Sequence, residues 1–299
     1  SPDGKYVVFP WSTPSSPARI LLLDTQKGTY RSLTEKAAQS AATIETAVTS
    51  IKSFDGLELP TLVYLPPKAR EKKVPVIIQY HGGFPFASTA RHDEKISLLL
   101  AEGYAVVEPN VRGSGGFGRA YELADDGVKK LDALRDVAAI GRWVATQPWA
   151  DAKRLAIMGG SAGSYWTLLG LADNPEMYRC GVAFVPFYDL VASIESTDGD
   201  LRTFMEKKEL VPVSEAILAK ALSPSSYVDR IQAPLFVFAG ARDVRTPIGQ
   251  TEAMIRALRE RGRTLEYMRA DQGHSLSDPQ TWAELNARML RFLRTHLDH

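Results

Sequence analysis

Between Arg154 and Trp166 the chain reads Arg-Leu-Ala-Ile-Met-Gly-Gly-Ser-Ala-Gly-Ser-Tyr-Trp. A short apolar run, Leu155 to Met158, meets Gly159-Gly160-Ser161-Ala162-Gly163 and passes at once into a helix-like pattern. Few architectures accept that succession. It demands a buried strand, a sharp turn and a helix folded back against the strand, which is the context of a G-x-S-x-G nucleophile elbow. The glycines have a steric purpose, because side chains beside Ser161 would collide with the neighbouring strand and helix. Ser161 is the candidate nucleophile.

The surrounding pattern agrees with such an elbow. From Thr43 onward, strands alternate with helices: Ile44 to Phe54 and Leu57 to Leu65 form a hairpin about Asp55-Gly56, and Val74 to Tyr80 is a buried strand. Ala90 to Glu102 is helical in pattern, Tyr104 to Val107 extended, and Leu131 to Thr146 an amphipathic helix leading to the strand before Ser161. Cys180 to Pro186, Leu235 to Ala239 and Thr264 to Met268 supply later strands, with helices at Pro247 to Arg261 and Thr281 to Leu297. This predicts an α/β protein with a mostly parallel eight-stranded sheet, helices on both faces and an antiparallel start. Residues 194–230 read as a helical insertion. Residues 1–42 read differently, as a β-hairpin segment with a Pro/Ser loop at Ser12 to Pro17 and a turn at Gln26-Lys27-Gly28. A hairpin of that kind needs something to pack on, and its exposed edges leave room for pairing with another chain, as in a homo-oligomer, or with the main sheet.

Composition removes several functions. With 36 basic and 35 acidic residues, net charge is +1, so no overall field draws in nucleic acid or anionic lipid. No apolar stretch reaches the roughly 20 residues of a membrane span and no signal peptide opens the chain; a cytoplasmic protein is expected, with its natural N-terminus upstream of Ser1. Cys180, the sole cysteine, lies in an apolar run and reads as a structural thiol. No metal is expected, since no paired His or His/carboxylate spacing suggests ligands, and no cofactor either. Gly113-Ser-Gly-Gly-Phe-Gly118 satisfies a dinucleotide pattern, but Glu108-Pro109-Asn110 separates it from its strand and no helix opens on it.

A serine hydroxyl needs a base to take its proton and an anion to orient that base. In an open α/β sheet those partners belong on loops after later strands. Asp243, in Gly-Ala-Arg-Asp-Val-Arg-Thr-Pro, and His274, in Asp-Gln-Gly-His-Ser, occupy two such loops, and the order Ser, Asp, His is that of α/β hydrolases. The alternative for Asp243 is a helix cap or surface charge, although Thr246 is equally placed to cap. His92, His296 and His299 read as solvated surface groups. The oxyanion hole is assigned to the backbone N–H of Ala162 and to the loop His81-Gly82-Gly83, which follows the strand ending at Tyr80.

Together, Gly-Gly-Ser161-Ala-Gly, Gly-Ala-Arg-Asp243-Val-Arg-Thr-Pro and Gln-Gly-His274-Ser resemble the catalytic α/β-hydrolase domain of the prolyl oligopeptidase family of serine peptidases, over roughly residues 43–299. Arg112 to Tyr121 is similar to that family's glycine-rich loop, and residues 1–42 resemble the last blade of the β-propeller that precedes the domain. The resemblance implies substrate-binding positions at Arg245, Phe84 and Tyr165; a surface charge at Arg245 and core packing at Phe84 are the alternatives. Ser161-Ala-Gly-Ser-Tyr departs from the Ser-Tyr-Gly-Gly-Tyr common among the peptidases. The reading is a serine hydrolase that works through an acyl-enzyme, on a small peptide or aminoacyl amide. A carboxylesterase of small acyl esters and a non-catalytic binding fold are the alternatives.

Overall fold

Strand β6 (Val74–Tyr80) is buried at all seven positions, and an unbroken buried run requires cover on both faces of its sheet. The computed structural model, which describes residues 1–34, 44–83, 85–196, 202–203 and 216–298, provides that cover. β6 lies inside an eight-stranded sheet with β4 (Glu45–Lys52), β5 (Glu58–Leu65), β7 (Ala105–Pro109), β8 (Ala150–Gly160), β9 (Cys180–Phe184), β10 (Leu235–Gly240) and β11 (Leu265–Ala270). Their order across the sheet is β11-β10-β9-β8-β6-β7-β5-β4. All neighbours from β11 to β7 run parallel, while β5 and β4 are antiparallel, as the hairpin about Asp55-Gly56 requires.

Side chains alternate between two cores. Ile78, Val107 and Ile157 face the core closed by α3 (Lys130–Ala145), α4 (Ala162–Asp173) and α7 (Ile248–Glu260). Ile77, Val106 and Met158 face the core closed by α1 (Glu94–Ala101) and α8 (Pro279–Leu297). Helix α4 has no solvent face: every residue from Ala162 to Ala172 is buried, and its two aliphatic hydroxyls, on Ser164 and Thr167, are spent on the Ser161 and Gly163 carbonyls. None of the described helices is long and apolar enough to cross a membrane.

Element boundaries shift where caps decide them. Helix α1 starts at Glu94 rather than Ala90, because the Asp93 carboxylate accepts the free N–H groups of Lys95 and Ile96. Asp278 does the same for Thr281 in α8.

The N-terminal segment forms a separate antiparallel sheet, β1 (Tyr6–Thr13), β2 (Ser16–Asp24) and β3 (Thr29–Ser32). The anticipated Ser12–Pro17 loop is only the tight turn at Pro14-Ser15, with both flanks paired into strands. That turn touches the larger body: Ser12 Oγ accepts the His92 N–H at 2.9 Å, Ser15 Oγ accepts the Ile44 N–H at 2.8 Å, and His92 Nδ1 is 3.3 Å from the Pro14 carbonyl. His92 is therefore half-buried at a contact, not the solvated group its polar neighbours suggest. Between 194 and 230 the structure contains the end of α5 (Leu190–Ser196), α6 (Ala216–Leu222) and a 3-10 turn at Pro224–Arg230; the rest of that stretch, apart from 202–203, lies outside the described residues.

Candidate active site

Ser161 follows β8 directly and precedes the first turn of α4, with φ 55° and ψ −121°. Few non-glycine residues take a positive φ, and here the surrounding packing imposes it. A Cβ on Gly159 would lie 2.3 Å from the carbonyl of Gly163, and one on Gly163 would lie 2.2 Å from the Tyr80 carbonyl oxygen. Strand and helix thus touch through bare backbone. At Gly160 the nearest atom to an added Cβ is Phe184 Cβ at 3.6 Å, so that glycine is not sterically required.

Across from the elbow, His274 sits on the loop after β11 with Nε2 3.0 Å from Ser161 Oγ. Its Nδ1 is 2.8 Å from Asp243 Oδ2, on the loop after β10. Asp243 is 6% exposed, and each of its oxygens has two donors: Arg245 N–H and Thr246 N–H on Oδ1, Thr246 Oγ–H and the His274 ring on Oδ2. Burial works to raise its pKa, but the bonds from His274 and Thr246 outweigh burial and hold the carboxyl below the usual range. A charged Asp243 fixes the ring with its proton on Nδ1, leaving Nε2 as acceptor for the serine hydroxyl. Thr246 does not cap α7. Its hydroxyl is taken by Asp243, and the cap position falls to Pro247 without a side-chain bond.

The loop after β6 closes on the elbow from the other side. A Cβ on Gly82 would meet the Gly160 carbonyl oxygen at 3.0 Å and Ser161 Cβ at 3.6 Å, and Gly83 takes φ +66°. His81 Nδ1 lies 3.2 Å from the Gly82 carbonyl, an acceptor only, so this nitrogen carries the proton and Nε2 accepts from Ser114 Oγ at 2.9 Å. Burial lowers the His81 pKa, in keeping with a neutral ring. Ala162 is the first residue of α4, where an N–H has no intrahelical acceptor. The Ala162 N–H and the His81–Gly83 loop thus both adjoin Ser161, one along the chain and one across the elbow.

The three proposed substrate-binding positions part company. Arg245 is exposed on the Asp243 loop and contributes its backbone N–H to that carboxylate. Phe84 lies outside the described residues. Tyr165 does not reach the site: it is fully buried, its hydroxyl donates to the Leu222 carbonyl at 2.9 Å, and its ring packs edge-on against Trp166. In α4 it faces the core, where the helix has no solvent side to offer. Sequence reasoning missed Thr246 and Ser114, whose signal is positional only: a hydroxyl three residues after the aspartate, and one inside the glycine-rich loop. It also missed a cavity of about 670 Å³ that reaches from Ser161 and His274 to Glu108, walled by Phe86, Phe184, Phe238 and Trp282.

This strand order, with a strained serine between strand and helix and an acid and a histidine after later strands, defines the α/β-hydrolase fold. Residues 90–299 match the model of the prolyl oligopeptidase family. The chain belongs to that family. It is 27% identical to dipeptidyl aminopeptidase BIII of Pseudoxanthomonas mexicana, over 97% of this chain and 44% of that protein. It is 29% identical to the human acylamino-acid-releasing enzyme, over 82% of this chain and 34% of that one. The chain thus spans less than half the length of these relatives. Among solved structures, a puromycin-hydrolyzing peptidase of Mycobacterium tuberculosis superposes with a TM-score of 0.89 at 22% identity, over 98% of this chain and 47% of its own. The acylaminoacyl peptidase of Pyrococcus horikoshii gives 0.88 at 23%, over 98% and 48%. At that identity the likeness is one of fold.

Proposed function

We propose that the protein is a serine peptidase that cleaves peptide or aminoacyl amide bonds through an acyl-enzyme. The observation that carries this is the continuous line from Ser161 Oγ through His274 to Asp243, at 3.0 and 2.8 Å. In the forward half-reaction His274 Nε2 takes the hydroxyl proton as Oγ bonds to the carbonyl carbon. The oxyanion is held by backbone donors at Ala162 and the His81–Gly83 loop. His274 then returns the proton to the departing amine as the C–N bond breaks. Water repeats the sequence on the ester, releasing the acid and restoring Ser161. Asp243 stays ionised throughout and stabilises the imidazolium. Family membership supports an amide as the bond cleaved, and the likeness to a dipeptidyl aminopeptidase and an acylamino-acid-releasing enzyme supports short peptides as substrates. Residues 1–42 we read as propeller-blade material, a reading supported by exposed Val7, Val8 and Trp11 on a small sheet.

Labelling by a fluorophosphonate, abolished in Ser161→Ala with the fold retained by circular dichroism, tests the nucleophile. Aminoacyl and N-acyl-aminoacyl p-nitroanilides beside p-nitrophenyl acyl esters test the bond. Hydrolysis of esters alone would replace the peptidase with an esterase.

A further inference from the structure

The cavity beside Ser161 ends in a polar wall that the acyl-transfer chemistry does not use. Register pairs Ile77 with Val106 and Gln79 with Met158, and Ile77, Val106 and Met158 all belong to the core beneath α1 and α8. Side chains two residues along a strand point the same way, so Gln79 and Glu108 continue that apolar row. Both line the cavity, at 5% and 8% exposure. Burying an amide and an acid in such a row is costly unless their polar atoms are matched.

They are matched only in part. Gln79 Nε2 donates to Glu108 Oε1 at 2.8 Å. Gln79 Oε1 is buried with no hydrogen-bond partner, as is the hydroxyl of Ser88 on the same cavity; the buried Tyr64 hydroxyl faces the Glu108 carboxyl and is the one further side-chain donor acting on it among the described residues. The Gln79 carbonyl is an acceptor left open toward the cavity, beside a carboxylate that can take more than the neutral donors around it supply. No cation pairs with the carboxylate among the described residues: Lys95 Nζ lies 5.4 Å from the Phe184 ring centroid and acts on Glu108 only through its field, and Arg91 is exposed at the mouth. Asp93, also at the mouth, has Oδ1 committed to the first turn of α1. A neutral donor would leave the Glu108 charge to the unpaired Lys95 alone, whereas a cation in the cavity would neutralise it at contact and satisfy Gln79 as well.

Position relates this wall to the reaction. β6 is one strand and β7 two strands from β8, which carries the elbow. At roughly 4.8 Å per strand, the polar wall stands about 5–10 Å from the nucleophile's strand. One long side chain, or two to three extended residues at about 3.4 Å each, covers that span. We propose that the cavity is a recognition subsite for a substrate ammonium or guanidinium group, held by the Glu108 carboxylate and the Gln79 carbonyl. As a substrate subsite it rests on the assignment of Ser161 as nucleophile; as a binding site it does not.

The experiment therefore has two arms. In the first, n-pentylammonium and 1-pentanol are added to the full chain carrying Ser161→Ala, and Tm is followed. Pentylammonium raises Tm by a few degrees at saturation, pentanol does not, and Glu108→Gln in the same background abolishes the difference. Equal shifts from the two compounds, no shift from pentylammonium, or a difference that survives Glu108→Gln would overturn the subsite. In the second arm, wild type and Glu108→Gln hydrolyse the p-nitroanilides of acetyl-lysine, acetyl-norleucine, glycyl-norleucine and acetylglycyl-norleucine. An advantage of about tenfold in kcat/KM for lysine over norleucine assigns the cation to a side chain; the same advantage for glycyl over acetylglycyl assigns it to the chain terminus. Either falls to within about twofold in Glu108→Gln. Turnover of all four without an advantage overturns the substrate role, while turnover of none counts against the nucleophile and leaves the first arm to decide the binding site.

Discussion

Asp243 and Glu108 show how two buried carboxyls in one site acquire opposite characters. Each is penalised by burial, but among the described residues Asp243 receives four hydrogen bonds, whereas Glu108 has Gln79 as its one donor at close range, the weaker influence of Tyr64, and the repulsion of Asp93. The Asp243 pKa is lowered and that of Glu108 is raised. Their contributions to stability therefore run in opposite directions with pH. For Asp243 the unfolded state binds the proton more tightly, so its stabilisation is complete above the ordinary aspartate value of 3.8 and disappears as pH falls through the lower folded value. For Glu108 the native state binds the proton more tightly, so stability is lost as pH rises from 4.5 through the higher folded value. Glu108→Gln is expected to raise Tm at pH 8 relative to wild type, and the gain should vanish near pH 4.5; thermal melts across that range decide it. Asp243→Asn places an amide against the His274 ring and favours the wrong tautomer. We expect kcat to fall about 10⁴-fold with the fold retained, measured on whichever anilide is best cleaved.

At the scale of elements, the elbow makes a sharper demand than its motif states. Gly163→Ala drives a methyl group to 2.2 Å from the Tyr80 carbonyl oxygen, a rigid neighbour in β6, and should cost about 1–3 kcal/mol or prevent folding. Gly160→Ala meets nothing closer than 3.6 Å and should cost under about 1 kcal/mol. Urea titration of the two variants checks the contrast. The strands, the parallel order and the three loops carrying Ser161, Asp243 and His274 were legible because each leaves a local mark: an apolar run of strand length, a glycine that permits close approach, a loop after a late strand. Tyr165 misled because a position carried over from a resembling motif says nothing of which way a helix wholly inside the protein turns its side chain. Glu108 was noticed only as the residue that spoiled a glycine motif. Its meaning depends on Gln79, 29 residues away, and on which strand lies between β7 and β8.

The whole molecule is uneven in how firmly it is held. The three strands β1, β2 and β3 form a small sheet with Tyr6, Val8, Trp11 and Tyr30 exposed, whereas β6 is enclosed on both sides. Amide hydrogen exchange should accordingly be orders of magnitude faster in β1–β3 than in β6 and β8, and equal protection in the two sheets would contradict that division. Helix α4 sits at the opposite extreme, with all residues from Ala162 to Ala172 out of solvent. A helix without an outer face has no partial opening available to it. Its amides should exchange only when the entire domain opens, and Ser161, anchored at its first turn, can be displaced only by the same event. Heating should then erase catalysis and tertiary structure along one curve, with no temperature at which the protein is folded yet has lost its nucleophile.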